Sequence, residues 1–238
     1  MPIPTLSTTC TFHRLIATGV FEFAFTKPTG FTFKPGQFVL FDVPLIDNPA
    51  DIQTRALSLG STPAEEELLF VAKMKPGGRV SRWIEEVLKP GFTATMKGPF
   101  GMFVLDANTT KDLLFIATGT GVAPFRPQIK HTLEAGDRRR MDLIFGVRSE
   151  SDLFWQNELT ALTQTYDNFF LHLALSSPTD TWTGHRGRVQ TLVPQIVKDF
   201  SHKNVYICGS PDMTKEMKQL CLEEWKVAKE DLHVEGYI

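Results

Sequence analysis

The sequence predicts a β domain joined to an α/β domain: antiparallel strands over residues 1–105, then a doubly wound parallel sheet with helices over 106–238. Three observations predict it. Up to about residue 105, short apolar runs recur between Gly and Pro turn signals, the pattern of an antiparallel barrel or sandwich. From about residue 111, apolar runs alternate with segments of helical spacing, as in sheets whose strands are buried on both faces. Residues 118–124, TGTGVAP, follow one such run directly and precede a helical segment; ligands of doubly wound sheets bind at such βα turns.

In the first half the strand candidates are 9–13, 20–25, 38–43, 55–59, 68–73 and 93–97. The breaks are Lys27-Pro28, Lys34-Pro35-Gly36, Asn48-Pro49, Pro76-Gly77-Gly78 and Pro90-Gly91. Proline lacks a ladder donor and glycine admits positive φ, so each pair ends a strand. Residues 79–88 differ: Val80, Trp83, Ile84, Val87 and Leu88 fall at helical spacing. In the second half the strands are 113–117, 143–147, 169–175 and 205–208, with a last one near 233–234. The helices between them are 124–134, 153–166, 191–200 and 212–227.

Composition narrows the function. The 238 residues suit one or two domains with their own cores. A 42% hydrophobic and 22% charged content excludes a disordered or collagenous chain. A net charge of −2 gives no basic excess for nucleic acid. The longest uncharged stretch, 113–125, is broken by Gly119, Gly121 and Pro124 and is too short to span a bilayer. The N-terminus, MPIPTLSTTCTF, lacks a basic and an apolar signal region, so a cytoplasmic protein is expected. Cys10, Cys208 and Cys221 form no CxxC pair, which argues against a disulfide framework or a zinc ribbon. Three thiolates cannot hold an all-cysteine iron–sulfur cluster. The six histidines show no HExxH spacing, and no metal is expected. A monomer is the default.

Several segments carry chemistry only conditionally. Gly119 and Gly121 allow close backbone approach before a helix whose free N–H groups suit a pyrophosphate, though a plain βα turn reads the same. In PGGRVS (76–81), Gly77 and Gly78 free the backbone, and Ser81 either caps the helix or bonds a phosphate. Arg55 sits on a strand, as a solvated charge or as a bidentate phosphate fork. Cys208 ends a strand next to Gly209, and the terminal Tyr237 has a face that suits a flat ligand. Three features read as bland: Arg138-Arg139-Arg140 as a solvated loop, Glu65-Glu66-Glu67 as a hairpin tip, and Trp155 and Trp225 as core or cover.

Their order is more specific than any one of them. KPGQF (34–38), RALS (55–58), GGRVS (77–81), GPFG (98–101), GTGVAP (119–124), CGSP (208–211) and VEGY (234–237) occur in succession. Nearly the whole chain thereby resembles the ferredoxin–NADP reductase family of flavoenzymes. The resemblance implies a six-stranded barrel that binds FAD and an α/β domain that binds NADPH or NADH. It places Arg55 on the FAD pyrophosphate and Ser58 near flavin N5, with Ala56 and Leu57 between them. Leu57 replaces the usual Tyr or Phe, so one flavin face would meet an aliphatic side chain. Gly78, Arg79, Val80 and Ser81 match the second FAD phosphate segment. Thr118, Gly119, Thr120, Gly121 and Pro124 match the turn that receives the nicotinamide nucleotide.

Cys208 and Gly209 would lie near the nicotinamide. Glu235 and Tyr237 match the plant-type ending, where the tyrosine covers the flavin and moves aside for nicotinamide; here Ile238 follows it. NADP-preferring relatives often carry Ser-Arg-Glu where this chain has Ser176-Ser177-Pro178. Arg148 and Arg188 resemble bacterial NADPH-binding positions, and Asp152 and Leu153 match a pattern common to both nucleotides. The implied activity is FAD-dependent NAD(P)H oxidation or its reverse, with a separate carrier as partner: a ferredoxin, a flavodoxin or an oxygenase component. The alternatives are an NAD(P)H:flavin reductase that releases its flavin, which GGRVS disfavours, and a non-catalytic docking subunit of the same fold.

Overall fold

The computed structural model describes residues 5–237, so Ile238 lies outside the described residues. The first sheet is built from β1 (Thr5–Ala17), β2 (Val20–Thr26), β3 (Phe38–Leu45), β4 (Asn48–Ser58), β5 (Glu67–Lys73) and β6 (Thr93–Phe100). Its order is β4-β3-β6-β1-β2-β5, antiparallel throughout. The chain leaving β4 meets β5, where the Gly60 N–H donates to the Leu69 carbonyl at 2.7 Å. The sheet therefore curls into a barrel. Its core is aromatic: Phe23, Phe25, Phe41, Phe70 and Trp83 are fully buried. Phe41 meets Phe70 edge-on at 5.2 Å, an arrangement that the ring quadrupoles favour.

Two strands outrun their apolar signal. β1 pairs with β6 up to Thr9 and with β2 from Cys10, and a bulge between Cys10 and Phe12 lets one strand serve both. Asn48-Pro49 is not a break. Leu45 pairs with Asn48 across a tight turn, and Pro49 opens the edge strand β4, where a missing donor costs little. Between β5 and β6, α1 (Arg79–Arg82) continues as a π-helical turn over Trp83–Val87. This segment seats Trp83, Ile84 and Leu88 in the barrel core, as their spacing predicts.

The second sheet comprises β7 (Asp112–Thr118), β8 (Met141–Val147), β9 (Phe169–Leu175), β10 (His185–Arg186), β11 (Lys203–Gly209) and β12 (Leu232–Gly236). Its order is β10-β9-β8-β7-β11-β12, all parallel. The chain runs outward from β7 to β10, then returns on the other side of β7. The topological switch lies between β7 and β11, and ligands of such sheets bind there. The short β10 carries no apolar run and was not legible beforehand.

The helices are α2 (Phe125–Glu134), α3 (Gln156–Thr165), α4 (Val189–Ile196) and α5 (Pro211–Gln219). α3 starts later than expected because Trp155 takes a left-handed φ of 56°. α4 stops at Ile196, with Pro194 in its last turn. α5 has a serine cap: Ser210 Oγ accepts the Met213 N–H at 3.4 Å, and Pro211 takes the first helical position. It ends in a π-helical turn over Leu220–Glu224, after which Trp225 stacks on Phe200 at 4.8 Å.

The described chain forms two compact units. One runs to Leu105 and includes Ala123–His131; the other holds Asp106–Val122 and the chain from Thr132 onward. Most of α2 therefore packs with the barrel, although it follows β7 in sequence. Of the arginine run, Arg138 is exposed as expected, whereas Arg139 and Arg140 are engaged. Arg139 binds the Asp137 carboxylate at 2.7 Å and the carbonyls of Asp106 and Thr109 at 3.3 and 3.2 Å. Arg140 pairs with the buried Asp142 at 2.8 Å and lies 3.9 Å over the Phe170 ring. No helix among the described residues is long and apolar enough to cross a membrane. Among them, no cluster of His, Cys, Asp or Glu could hold a metal ion.

Candidate active site

In the barrel unit, residues 55–58 close the edge strand β4. Arg55 is half-buried, and its guanidinium turns back along the strand to the Thr54 carbonyl at 2.9 Å and to Gln53 Oε1. It has no ion pair among the described residues. Ala56 is exposed, Leu57 packs one side on the barrel core, and Ser58 is half-buried.

The 75–81 segment is held more tightly than its sequence suggests. Gly78 is the N-cap of α1, and a Cβ there would lie 3.0 Å from the Lys75 carbonyl. Ser81 is buried and does not cap; its Oγ accepts the Lys75 N–H at 2.7 Å and closes the turn. Arg79 pairs with Asp51 of β4 at 2.8 Å and also donates to the Asp51 carbonyl at 2.7 Å. This pairing holds the Asp51 carboxyl below its usual range. Val80 packs on the core. The groups left for an anion are the first-turn N–H groups, which have no intrahelical acceptor.

In the second unit, residues from β7, β11 and β12 converge at the switch point. Thr118 ends β7, and its Oγ1 is buried without a hydrogen-bond partner among the described residues. The next residues form a 3-10 turn, Gly119–Val122, rather than opening the helix directly; Pro124 intervenes before α2. Gly119 takes a φ of 53°, with open space where its Cβ would stand. Gly121 is needed for a different contact: a Cβ there would lie 2.2 Å from the Cys208 carbonyl oxygen and 2.6 Å from Gly209 Cα. A Cβ on Gly209 would in turn sit 2.2 Å from Thr118 Oγ1. The two glycines let the turn and the end of β11 touch backbone to backbone.

Cys208 is fully buried and pairs in register with Glu235 of β12, so both side chains share one face of the sheet. Burial and the Glu235 charge push the thiol well above its ordinary pKa. It is therefore an uncharged wall at neutral pH, not a nucleophile. Burial also raises the Glu235 carboxyl to about 7. Tyr237 follows β12: its N–H donates to the Gly209 carbonyl at 3.1 Å, and its hydroxyl donates to the Thr120 carbonyl at 3.2 Å. The tyrosine thus lies against the glycine turn.

Arg148, Ser176 and Arg188 are exposed and lie along the same carboxyl edge of the sheet. The Ser176 N–H donates to the Val147 carbonyl at 3.1 Å, Ser177 to Arg148 at 2.8 Å and Gly187 to Leu175 at 2.7 Å. Arg148 and Arg188 have no ion pair among the described residues. Glu150, close in sequence, is engaged by the Thr179 hydroxyl at 2.6 Å and the Thr179 N–H at 3.0 Å. Asp152 closes a capping box with Ser149, and Leu153 ends that turn. Sequence reasoning missed Arg186, which holds the loop by donating to the carbonyls of Thr179, Asp180 and Trp182 at 2.9, 3.1 and 2.9 Å. It also missed the buried pairing of Arg126 with Glu65 at 3.0 Å in the barrel unit. Neither lies in a motif whose spacing announces it.

The chain is similar to known proteins over nearly its whole length. Residues 14–105 match the oxidoreductase FAD-binding domain family and residues 115–219 the oxidoreductase NAD-binding domain family. Ferredoxin--NADP reductase B of Sorangium cellulosum (strain So ce56) is 33% identical over 233 residues, 94% of either chain. The toluate 1,2-dioxygenase electron transfer component of Pseudomonas putida is 32% identical over 187 residues. That match covers 79% of this chain but 54% of the relative, so this chain spans about half the length of that protein. A ferredoxin NADP+ reductase from Neisseria gonorrhoeae, solved with bound FAD and NADP, shares the fold with a TM-score of 0.83. It is 21% identical, with 98% of each chain covered.

Proposed function

Because the chain belongs to the ferredoxin–NADP reductase family, we propose that it is an FAD-dependent NAD(P)H reductase serving a separate one-electron carrier protein. The carrier would be a ferredoxin, a flavodoxin or an oxygenase component. The observation that carries this reading is the switch-point cluster: an orphaned buried hydroxyl on Thr118, a glycine turn packed on Cys208 and Gly209, and Glu235 and Tyr237 beside them.

The residues fit FAD. Arg55, without a carboxylate partner, supplies a fork for a pyrophosphate on an exposed edge strand. The first-turn N–H groups of α1 supply a second anion contact, while Arg79 and Ser81 act indirectly by holding that turn in place. FAD, when bound, supplies the redox chemistry, accepting a hydride equivalent at N5 and releasing electrons singly. The chain's own residues need only bind, orient and exclude water. Thr118 Oγ1 offers a hydrogen bond to the nicotinamide nucleotide, the glycine turn admits it, and the neutral Cys208 thiol leaves the site without a competing charge.

The electrostatics of the β8–β9 edge favour NADPH over NADH. A 2′-phosphate seeks cations, whereas a free ribose diol seeks a carboxylate acceptor. This edge presents Arg148 and Arg188, and its nearby acid, Glu150, is already engaged. Arg148→Ala and Arg188→Ala are each expected to weaken NADPH by about 10-fold or more, the loss of one charged hydrogen bond. NADH should change by less than about 3-fold. Steady-state KM values for both nucleotides check this; equal losses for both would refute the 2′-phosphate role.

A visible spectrum of the purified, desalted protein tests the reading as a whole. Bands near ~380 and ~450 nm that bleach anaerobically with NADPH are expected of retained FAD. A colourless protein that turns over added flavin would be a flavin reductase instead. A protein that neither binds nor reduces flavin would be a docking subunit.

A further inference from the structure

A cavity of about 430 Å³ opens on the barrel unit, walled by Thr32, Phe33, Lys34, Gln37, Met102 and Val104. Its frame is held by hydrogen bonds within that unit. Gln37 Nε2 donates to the Gly101 carbonyl at 3.2 Å, and Gln37 Oε1 accepts the Lys34 N–H at 2.8 Å. From behind, the fully buried Gln128 donates to the Phe103 carbonyl at 2.7 Å. A Cβ on Gly36 would overlap that same carbonyl, so the two wall segments touch backbone to backbone. The cavity is therefore a fixed feature of the barrel surface.

Three properties of this face point to a protein partner. It is apolar at its rim: Met102 is 89% exposed, and the half-buried rings of Phe38 and Phe100 lie 5.9 Å apart beside it. Methionine and aromatic side chains are enriched where proteins meet. It also has one sign of charge. Residues 26–41 and 98–105 contain Lys27 and Lys34 and no carboxylate. Lys27 is spent on the carbonyls of Pro63 and Glu65, at 2.9 and 2.7 Å. Lys34 is exposed and has no ion pair among the described residues. Finally, the face lies at one end of the barrel. Phe38 pairs in register with Ser58 of β4 and with Phe100 of β6, so the cavity shares its end with Ser58.

We propose that this face docks the electron carrier, and that the carrier is a small one-electron protein with an acidic rim. A carrier carboxylate pairs with Lys34, and a carrier apolar side chain packs on Met102 at the cavity mouth. The inference rests on the reductase reading above, in which Ser58 lies near flavin N5. Electron transfer weakens steeply with separation, so the carrier must meet the barrel at its flavin end. Such encounters are small and transient, so one apolar contact with one charge beside it suffices. The lysine steers and registers the partner, and the methionine supplies the contact that excludes water.

The test compares wild type with Met102→Ala and Lys34→Gln in two NADPH-driven assays, with flavin content measured alongside. One acceptor is an acidic two-iron ferredoxin; the other is menadione, a small neutral acceptor that needs no docking surface. Each variant is expected to raise the ferredoxin KM about 10-fold and to leave menadione turnover within about 2-fold of wild type. Lys34→Gln should also flatten the salt dependence of ferredoxin reduction, because it removes the steering charge. A wild type that reduces neither acceptor would sink the reductase reading itself. A wild type that reduces menadione but not ferredoxin overturns the acidic-carrier proposal alone. So does a ferredoxin KM within about 2-fold of wild type in both variants. Equal losses with both acceptors would place these residues in flavin binding instead of docking. Sedimentation across protein concentrations covers the remaining occupant: a dimer that Met102→Ala abolishes would mean that a second copy fills this face, against the proposal. If Met102→Ala does not fold, Lys34→Gln decides by the same criteria.

Discussion

Gly121→Ala is expected to slow bleaching of the flavin by NADPH by roughly 100-fold while leaving FAD bound. The added Cβ would stand 2.2 Å from the Cys208 carbonyl oxygen, 2.5 Å from its carbon and 2.6 Å from Gly209 Cα. All three are backbone atoms of β11 and its end, with Cys208 paired by β7 and β12 and Gly209 by β12, so they cannot give way as a flexible side chain would. The turn must move instead, and with it Thr118, the Thr120 carbonyl and the tyrosine that bonds it. A shift of about 1 Å costs roughly 100-fold in a rate that depends on near-attack geometry. Overpacking of this kind also costs about 1–3 kcal/mol of stability. Flavin content should hold, because Arg55 and the 75–81 segment are in the other unit. Stopped-flow bleaching and the flavin-to-protein ratio check this. A rate within about 3-fold of wild type would mean that the turn does not seat the nucleotide.

Glu235→Gln is expected to change how stability depends on pH. In the folded chain burial raises the carboxyl to about 7. In the unfolded chain it titrates near its ordinary 4.5. Between those values the native state holds a proton that the unfolded state has lost, so stability falls as pH rises. The contribution is complete below pH 4.5 and is lost as pH passes through about 7. Glutamine stays neutral and removes that slope. The variant should match wild type near pH 4.5 and exceed it at pH 8 by up to about 3 kcal/mol. Chemical denaturation at both pH values, at one fixed flavin concentration, measures this. Parallel curves for the two proteins would place Glu235 in water rather than in the apolar corner with Cys208.

The elements legible beforehand were those whose signal is local. β7, β8 and β9 are continuous apolar runs, and each forms within a residue or two of its expected place. The 79–88 segment announced its buried face by spacing alone, even though its second half winds as a π turn. Elements that depend on partners were misread or missed. Pro49 is tolerated because β4 is an edge strand, which is a property of the sheet and not of the dipeptide. β10 has no apolar pattern and exists because it lies beside β9.

The candidate site divides in the same way. Gly119, Gly121, Cys208, Glu235 and Tyr237 could be picked out by order along the chain, because glycine turns and terminal aromatics have physical reasons to recur in sequence. Their roles needed contacts. Gly121 was read as room for a ligand and proves to be room for β11. Arg79 lies in a segment that matches the second FAD phosphate segment, and only the structure shows its pairing with Asp51. Glu65 was read as part of a hairpin tip and instead anchors Arg126, sixty-one residues away.

Residue order by itself determined the two-part architecture and the family, since periodicity, turn chemistry and motif succession are properties of neighbouring residues. Tertiary structure decided which charges are available and which are already paired. It also decided that Glu235 and Cys208 share a buried corner and that α2 packs with the barrel. Electrostatic partners and desolvation depend on groups brought together from distant parts of the chain, and no local pattern encodes those distances.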